Sequence, residues 1–127
     1  MTSGALRILI VEDHHDSRVF LQRLLTSIGH TVLLASSVSS AIEVAKSTQF
    51  DMVIGDINLP DGDGCALMKT LRDMTGAPAI AVSGLVDEEH KRRTAEAGVC
   101  VHLCKPIAFD KLIEAIEDCR SGQTRRT

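Results

Sequence analysis

The sequence predicts a single-domain, doubly wound α/β fold, a five-stranded parallel sheet with helices on both faces. Three observations lead there. Short apolar runs alternate five times with segments whose apolar residues recur every three or four positions. The strand-type runs are rich in β-branched residues and almost wholly apolar, as strands buried on both faces are. The length, 127 residues, suits one domain with one core.

Taken in order, residues 6–11 (LRILIV) form the first strand, which runs into Glu12-Asp13. Phe20, Leu24 and Ile28, with Leu21 and Leu25 beside them, mark a helix face. Asp16 or Ser17 is expected to cap its start, and Gly29 suits a left-handed end. Residues 31–35 form the second strand, and the serines at 36, 37, 39 and 40 include a cap for the next helix. The stripe of that helix is Val38, Ala41, Ile42 and Ala45. Residues 51–55 form the third strand, followed by Asp56 and a loop with Pro60, Gly62 and Gly64. Leu67, Leu71 and Met74 mark the third helix, closed by Gly76, and Pro78 opens a fourth strand at 79–83. The helix at 87–97 is mostly charged and is expected to dock loosely, with Gly98 ending it. The fifth strand, 99–103, leads to Lys105-Pro106, and Phe109, Leu112, Ile113 and Ile116 stripe the last helix. Residues 121–127 are a polar tail expected to fray. The expected unit is therefore one domain over 1–127, with a core at about 6–120 and no repeat or linker.

Composition excludes several classes. No apolar run approaches the roughly 20 residues that span a bilayer, and the N-terminus lacks a signal-peptide layout, so a cytoplasmic location is expected. A net charge of -3 argues against nucleic acid as a direct partner. Cys65, Cys100, Cys104 and Cys119 form no C-x-x-C pair and find no histidine pattern for zinc. They read as small buried hydrophobes in a reducing compartment. With no Trp or Tyr, the core must be aliphatic.

The chemistry lies at the strand ends. In an open parallel sheet, ligands bind outside the carboxyl ends of the strands. Those ends carry Glu12-Asp13, Asp56, Ser83 and Lys105, and only the second, Ala35-Ser36, is bland. Taken singly, each has an ordinary reading: Asp56 as a turn cap, Glu12-Asp13 as charges at a helix start, Ser83 as a turn residue, Lys105 as a surface lysine. Together they are harder to dismiss. Two carboxylates about 4 Å apart repel by roughly 4 kcal/mol at an effective dielectric near 20. Three of them call for Lys105 and a divalent cation, and an all-oxygen set suits Mg²⁺. A carboxylate so placed can attack a phosphoryl group. Asp56 is the expected acceptor. An EF-hand starting at Asp56 fails on spacing, since Asp61 and Leu67 stand where Gly and Glu are required.

The motifs ILIVEDH, VIGDINLPDGDG, AVSG and HLCKP appear in order at the right strand ends. In this the chain resembles the receiver domain of two-component response regulators, over about residues 6–120. The resemblance implies a flavodoxin-like sheet with strand order 2-1-3-4-5. It implies that Asp56 is phosphorylated by a histidine kinase or a histidine phosphotransfer domain. Asp13 and Asp56 would ligate Mg²⁺ directly, Asn58 through its backbone carbonyl and Glu12 through water. Lys105 would pair with Asp56 and then with the phosphoryl group, across a cis Lys105-Pro106 bond. Ser83 would bond a phosphoryl oxygen. His102 stands where the family carries Tyr or Phe, so it is either the rotating switch residue or an ordinary half-buried histidine. Positions 58 and 85, Asn58 and Leu85 here, affect phosphoryl lifetime in the family. A downstream effector would dock on the face of the fourth helix, fifth strand and last helix. The expected activity is self-phosphorylation and self-dephosphorylation only. The alternatives are a receiver belonging to a hybrid histidine kinase, a small Mg²⁺-dependent aspartyl phosphatase, and a degenerate receiver used only for interaction. Adjacent His14 and His15 cannot readily aim at one ion, and magnesium prefers oxygen. They are expected to tune access of metal or donor instead.

Overall fold

The computed structural model describes residues 4–84 and 88–120. The polar tail, Leu85 and the first residue of the expected fourth helix, Asp87, lie outside the described residues. The elements run β1 (Arg7–Val11), α1 (His15–Ser27), β2 (Thr31–Ala35), α2 (Val38–Ser47), β3 (Met52–Asp56), β4 (Asn58–Leu59), β5 (Gly62–Asp63), α3 (Gly64–Thr75), β6 (Ala79–Ser83), α4 (Glu88–Glu96), β7 (Val101–Cys104) and α5 (Phe109–Arg120). Five parallel strands form one sheet in the order β2-β1-β3-β6-β7. The two-residue strands β4 and β5 form a separate antiparallel ribbon inside the loop after β3. With that ribbon set aside, the order is the expected 2-1-3-4-5.

Period-two alternation along the strands splits the core into two layers. Leu9, Val11, Val53, Ala79 and Ala81 face Ala41 of α2 and Leu67, Met68 and Leu71 of α3. Ile8, Ile10, Met52, Ile54, Ile80 and Val82 face Leu21 and Leu25 of α1 and Leu112 and Ile116 of α5. All five residues of β3 and all five of β6 are buried, as central strands covered on both faces must be. Phe50 is the one buried ring of the three phenylalanines, so the core is aliphatic as expected.

Several expectations shift. β3 runs one residue further than expected and includes Asp56, because Asp56 stands in register with Val82 of β6. The last strand begins at Val101 and reaches Cys104. The start of α1 is capped by neither Asp16 nor Ser17. His14 is the N-cap residue and makes no side-chain cap bond, while Asp16 lies in the first turn, where the dipole favours an acid. Ser37 does cap α2, in a capping box with Ser40. The α1 stripe divides: Leu21 and Leu25 are buried, but Phe20 is 56% exposed and Ile28 38%. Phe109 and Met74 are also exposed, and Ala115 and Cys119 complete the buried face of α5. Within α4 only Thr94 is buried, which fits the loosely docked helix.

The cysteines depart furthest from expectation. Cys100 and Cys119 are joined in a disulfide, with Cα atoms 6.0 Å apart. They are 19 residues apart and meet because α5 packs back along β7. Cys65 is a buried thiol and Cys104 an exposed one. Among the described residues, no helix is long and apolar enough to cross a membrane.

Candidate functional site

The ends of β1, β3 and β7 bring the acids and the lysine together. β1 and β3 are neighbours, but each connects onward to the opposite side of the sheet, and the crevice opens there. Glu12 and Asp13 follow β1, and Asp56 closes β3. Lys105 follows β7, its backbone N–H donating to the Ser83 carbonyl at 2.8 Å and its peptide bond to Pro106 cis.

Lys105 is the hub. Its Nζ donates to Asp56 Oδ2 at 2.7 Å and to Glu12 Oε1 at 3.0 Å. Glu12 and Asp56 are only 3% and 6% exposed, so both carboxylates are held where water screens them poorly. Burial pulls the Lys105 ammonium down, but its bonds to Asp56 and Glu12 outweigh that and hold it above the ordinary lysine value. The other oxygen of Asp56, Oδ1, accepts the Asn58 N–H at 2.9 Å. The Asp56 side chain is thereby pinned from both sides, by an ammonium and by the loop it opens.

Asp13 is the member left over. Its Oδ1 is buried and has no hydrogen-bond partner. His14 Nδ1 lies 3.4 Å from it, too far for a good hydrogen bond. His14 Nδ1 also lies 3.0 Å from Glu12 Oε2, and the His14 backbone N–H donates to that same oxygen at 3.0 Å. Donor atoms of Glu12, Asp13, His14 and Asp56 all fall within 4.8 Å of one another. Three carboxylates thus face one ammonium, with one buried oxygen unsatisfied. A divalent cation with a preference for oxygen fits that donor set. Asp13, Asp56 and Glu12 are the side chains able to hold it.

The loop that follows Asp56 is fastened on three sides. The Asp61 carboxylate accepts the Val38 and Ser39 N–H groups at 2.8 and 3.1 Å, and these bonds keep it below the usual carboxylate range. Asp63 caps α3 by accepting the Cys65 N–H at 2.9 Å, and Arg93 of α4 donates to its other oxygen. At Gly64 the helix lies so close to the end of β3 that a Cβ would overlap the Asp56 carbonyl oxygen. It would also stand 2.7 Å from Ile57 Cα and O.

Ser83 and His102 face each other. Ser83 Oγ and His102 Nε2 share a hydrogen bond of 2.9 Å, and both residues are buried. Thr94 Oγ1 donates to the Lys91 carbonyl at 3.0 Å, which leaves its lone pairs towards His102 Nδ1, 3.5 Å away. Which of Ser83 and His102 donates is set by the imidazole nitrogen that carries the proton. Burial pushes the His102 imidazole below the ordinary histidine value, and the nearby His90 and Lys91 push the same way.

Every expected site residue among those described therefore sits at this edge. Glu12, Asp13, Asp56 and Lys105 form one cluster, with Asn58 at its rim and Ser83 and His102 as an adjoining pair. Sequence reading missed Thr94, Asp61 and the reach of His14. Asp61 had a signal in principle, since Asp beside Pro and Gly commonly bonds free N–H groups. Beside the cluster, Ser17, Phe20, Leu21, Pro106 and Ile107, with Glu12 and Lys105, line an apolar groove of about 520 Å³.

Comparison with known proteins agrees with this geometry. Residues 8–117 match the family model of the response regulator receiver domain. The sensory/regulatory protein RpfC of Xanthomonas campestris is 31% identical over 119 residues, covering 90% of this chain and 16% of that protein. The transcriptional regulatory protein KdpE of Escherichia coli is 33% identical over 105 residues, covering 83% of this chain and 47% of that protein. The chain spans less than half the length of either relative. Among solved structures, a CheY-like receiver domain protein from Methanospirillum hungatei superposes with a TM-score of 0.87 at 26% identity, covering 95% of this chain and 97% of that one.

Proposed function

The chain belongs to the response regulator receiver domain family, and from that premise we propose that Asp56 is its phosphoacceptor and Lys105 the residue that holds the transferred group. The observation that carries this is the Lys105 ammonium bridging two buried carboxylates, 2.7 Å from Asp56 and 3.0 Å from Glu12. An Asp56 oxygen attacks phosphorus as the bond to the donor nitrogen breaks; with the donor ring protonated on its other nitrogen, the products are an acyl phosphate on Asp56 and a neutral imidazole on the donor. Lys105 then follows the new negative charge onto a phosphoryl oxygen. Asp13 and Asp56 would hold Mg²⁺ directly, with the Asn58 carbonyl, and Glu12 through water. The ion supplies charge stabilisation at the equatorial oxygens when bound.

The readout begins at Ser83. Its hydroxyl shares a hydrogen bond with His102 in the resting protein, so bonding a phosphoryl oxygen requires it to change partner. His102 then loses that bond and can reorient, which makes Ser83 and His102 the switch pair. The surface formed by α4, β7 and α5 surrounds His102 and would carry the effector. The apolar groove with exposed Phe20 is lined by Glu12 and Lys105 of the acid site and suits the donor, a histidine kinase or histidine phosphotransfer domain. The chain acts as one unit over 1–127, in the cytoplasm, with no direct contact to nucleic acid and no turnover of phosphate monoesters.

A second reading concerns context. The match to RpfC covers only 16% of that protein. It is compatible with this chain being one module of a longer hybrid kinase in place of a stand-alone regulator. Incubation with labelled, phosphorylated histidine kinases tests the first reading: base-labile, acid-stable label is expected on the wild type and none on Asp56→Asn. Label persisting on Asp56→Asn would sink the assignment.

A further inference from the structure

We propose that His14 adds a nitrogen ligand to the acid site and so raises its affinity for first-row transition cations of the cobalt, nickel and zinc class relative to magnesium. The proposal rests on the reading of the acid cluster as a cation site. Its starting point is distance. His14 Nδ1 is 3.0 Å from Glu12 Oε2 and 3.4 Å from Asp13 Oδ1. Ligand atoms that share one ion at about 2.0–2.2 Å stand about 3.0–3.5 Å apart, whether the geometry is octahedral or tetrahedral. The four donor atoms, Asp56 included, lie within 4.8 Å of one another, so a side-chain shift of a few tenths of an ångström lets one ion reach all of them.

Three further features point the same way. Asp13 Oδ1 is buried without a hydrogen-bond partner and lies 3.4 Å from His14 Nδ1. The His14 backbone is fixed at the start of α1 by its bond to Glu12 Oε2, so only the ring need adjust. That ring is 70% exposed. His15 is aimed elsewhere, its Nδ1 3.4 Å from Arg18 Nη2. Two adjacent histidines do not converge here, but one suffices.

The selectivity follows from ligand type. Magnesium takes oxygen donors and would leave His14 aside, using the carboxylates and water. Cobalt, nickel and zinc accept imidazole together with carboxylate, and their affinities rise with each nitrogen supplied. The site would then hold either class of ion, with His14 deciding the ratio.

Calorimetric titration of the full chain with Mg²⁺ and with Co²⁺ tests this, on the wild type, His14→Ala, His15→Ala and Asp13→Asn. His14→Ala is expected to weaken Co²⁺ by about tenfold or more while Mg²⁺ moves by less than about twofold. His15→Ala is expected to change neither, and Co²⁺ is expected to shift the His14 ring resonances in NMR. An unchanged ratio of Co²⁺ to Mg²⁺ affinity in His14→Ala overturns the proposal, as does a thiolate charge-transfer band placing Co²⁺ on a cysteine. Undiminished Mg²⁺ binding by Asp13→Asn would instead overturn the cation-site reading beneath it.

Discussion

Removing the charge of Asp13 is expected to stabilise the fold and abolish its response to Mg²⁺. The donor oxygens of Glu12, Asp13 and Asp56 lie no more than 4.8 Å apart. At that separation two unit charges interact by about 3.5 kcal/mol at an effective dielectric near 20. Asp13 meets two such neighbours, and Lys105 offsets about one of them. Its side chain is 31% exposed, which screens part of the remainder. An amide in its place also brings donors to the buried, unpartnered Oδ1 position. The net expectation for Asp13→Asn is a gain of about 1–3 kcal/mol in the absence of divalent cation. Urea unfolding in EDTA at neutral pH measures it: the midpoint should rise at constant slope. Added Mg²⁺ should then stabilise the wild type, by about 2.7 kcal/mol at a hundredfold excess over its dissociation constant, and leave Asp13→Asn nearly unmoved. A variant less stable than the wild type without metal, or one that gains as much from Mg²⁺, would refute the reasoning.

Three other outcomes are expected. Gly64→Ala should cost at least about 1–3 kcal/mol, because its Cβ meets immovable backbone at Asp56 and Ile57. Gly55→Ala should cost less, since its closest neighbour is the flexible end of Met68 at 3.0 Å; equal losses in the two variants would contradict this. His102 and His30 should make the protein less stable in mild acid. Both imidazoles are held below the ordinary histidine value, mainly by burial, and His30 also by Arg120. The folded chain thus binds fewer protons than the unfolded one. Their contribution is complete above about pH 6.5 and fades as pH falls through the lower folded values. Urea midpoints between about pH 7 and pH 5 should fall for the wild type and fall less for His102→Gln; equal slopes would argue against it. Finally, a thiol reagent applied to the native, unreduced protein should label Cys104 quickly and Cys65 slowly, and spare Cys100 and Cys119. Rapid labelling of all four would exclude the disulfide.

Much of this site was legible in the sequence because a parallel sheet places the end of every strand on one edge. Finding Glu12-Asp13, Asp56, Ser83 and Lys105 at successive strand ends was therefore enough to predict their meeting. Properties that depend on how elements pack were harder to read. The repeat of Phe20, Leu24 and Ile28 and the pair Leu21 and Leu25 both satisfy helical periodicity, and only the docking of α1 on the sheet decides that Leu21 and Leu25 are buried. Cys100 and Cys119 have no informative local spacing, since their pairing is made by α5 returning along β7. The sequence sets His14 and His15 aside as ligands because adjacent rings do not readily aim at one ion and because magnesium prefers oxygen. In the structure they diverge, one towards Glu12 and Asp13 and the other towards Arg18. The strand boundary at Asp56 moved by one residue because pairing with Val82, a long-range contact, extends β3 past its apolar run.

The account turns on covalent chemistry at Asp56, and intact-mass spectrometry reads that most directly. The wild-type chain, incubated with a small phosphodonor such as acetyl phosphate and Mg²⁺, should gain a single adduct of about 80 daltons. The adduct should be absent with EDTA and absent from Asp56→Asn. An adduct of unchanged yield on Asp56→Asn, or a wild type that gains none from this donor or from phosphorylated histidine kinases, would contradict the account.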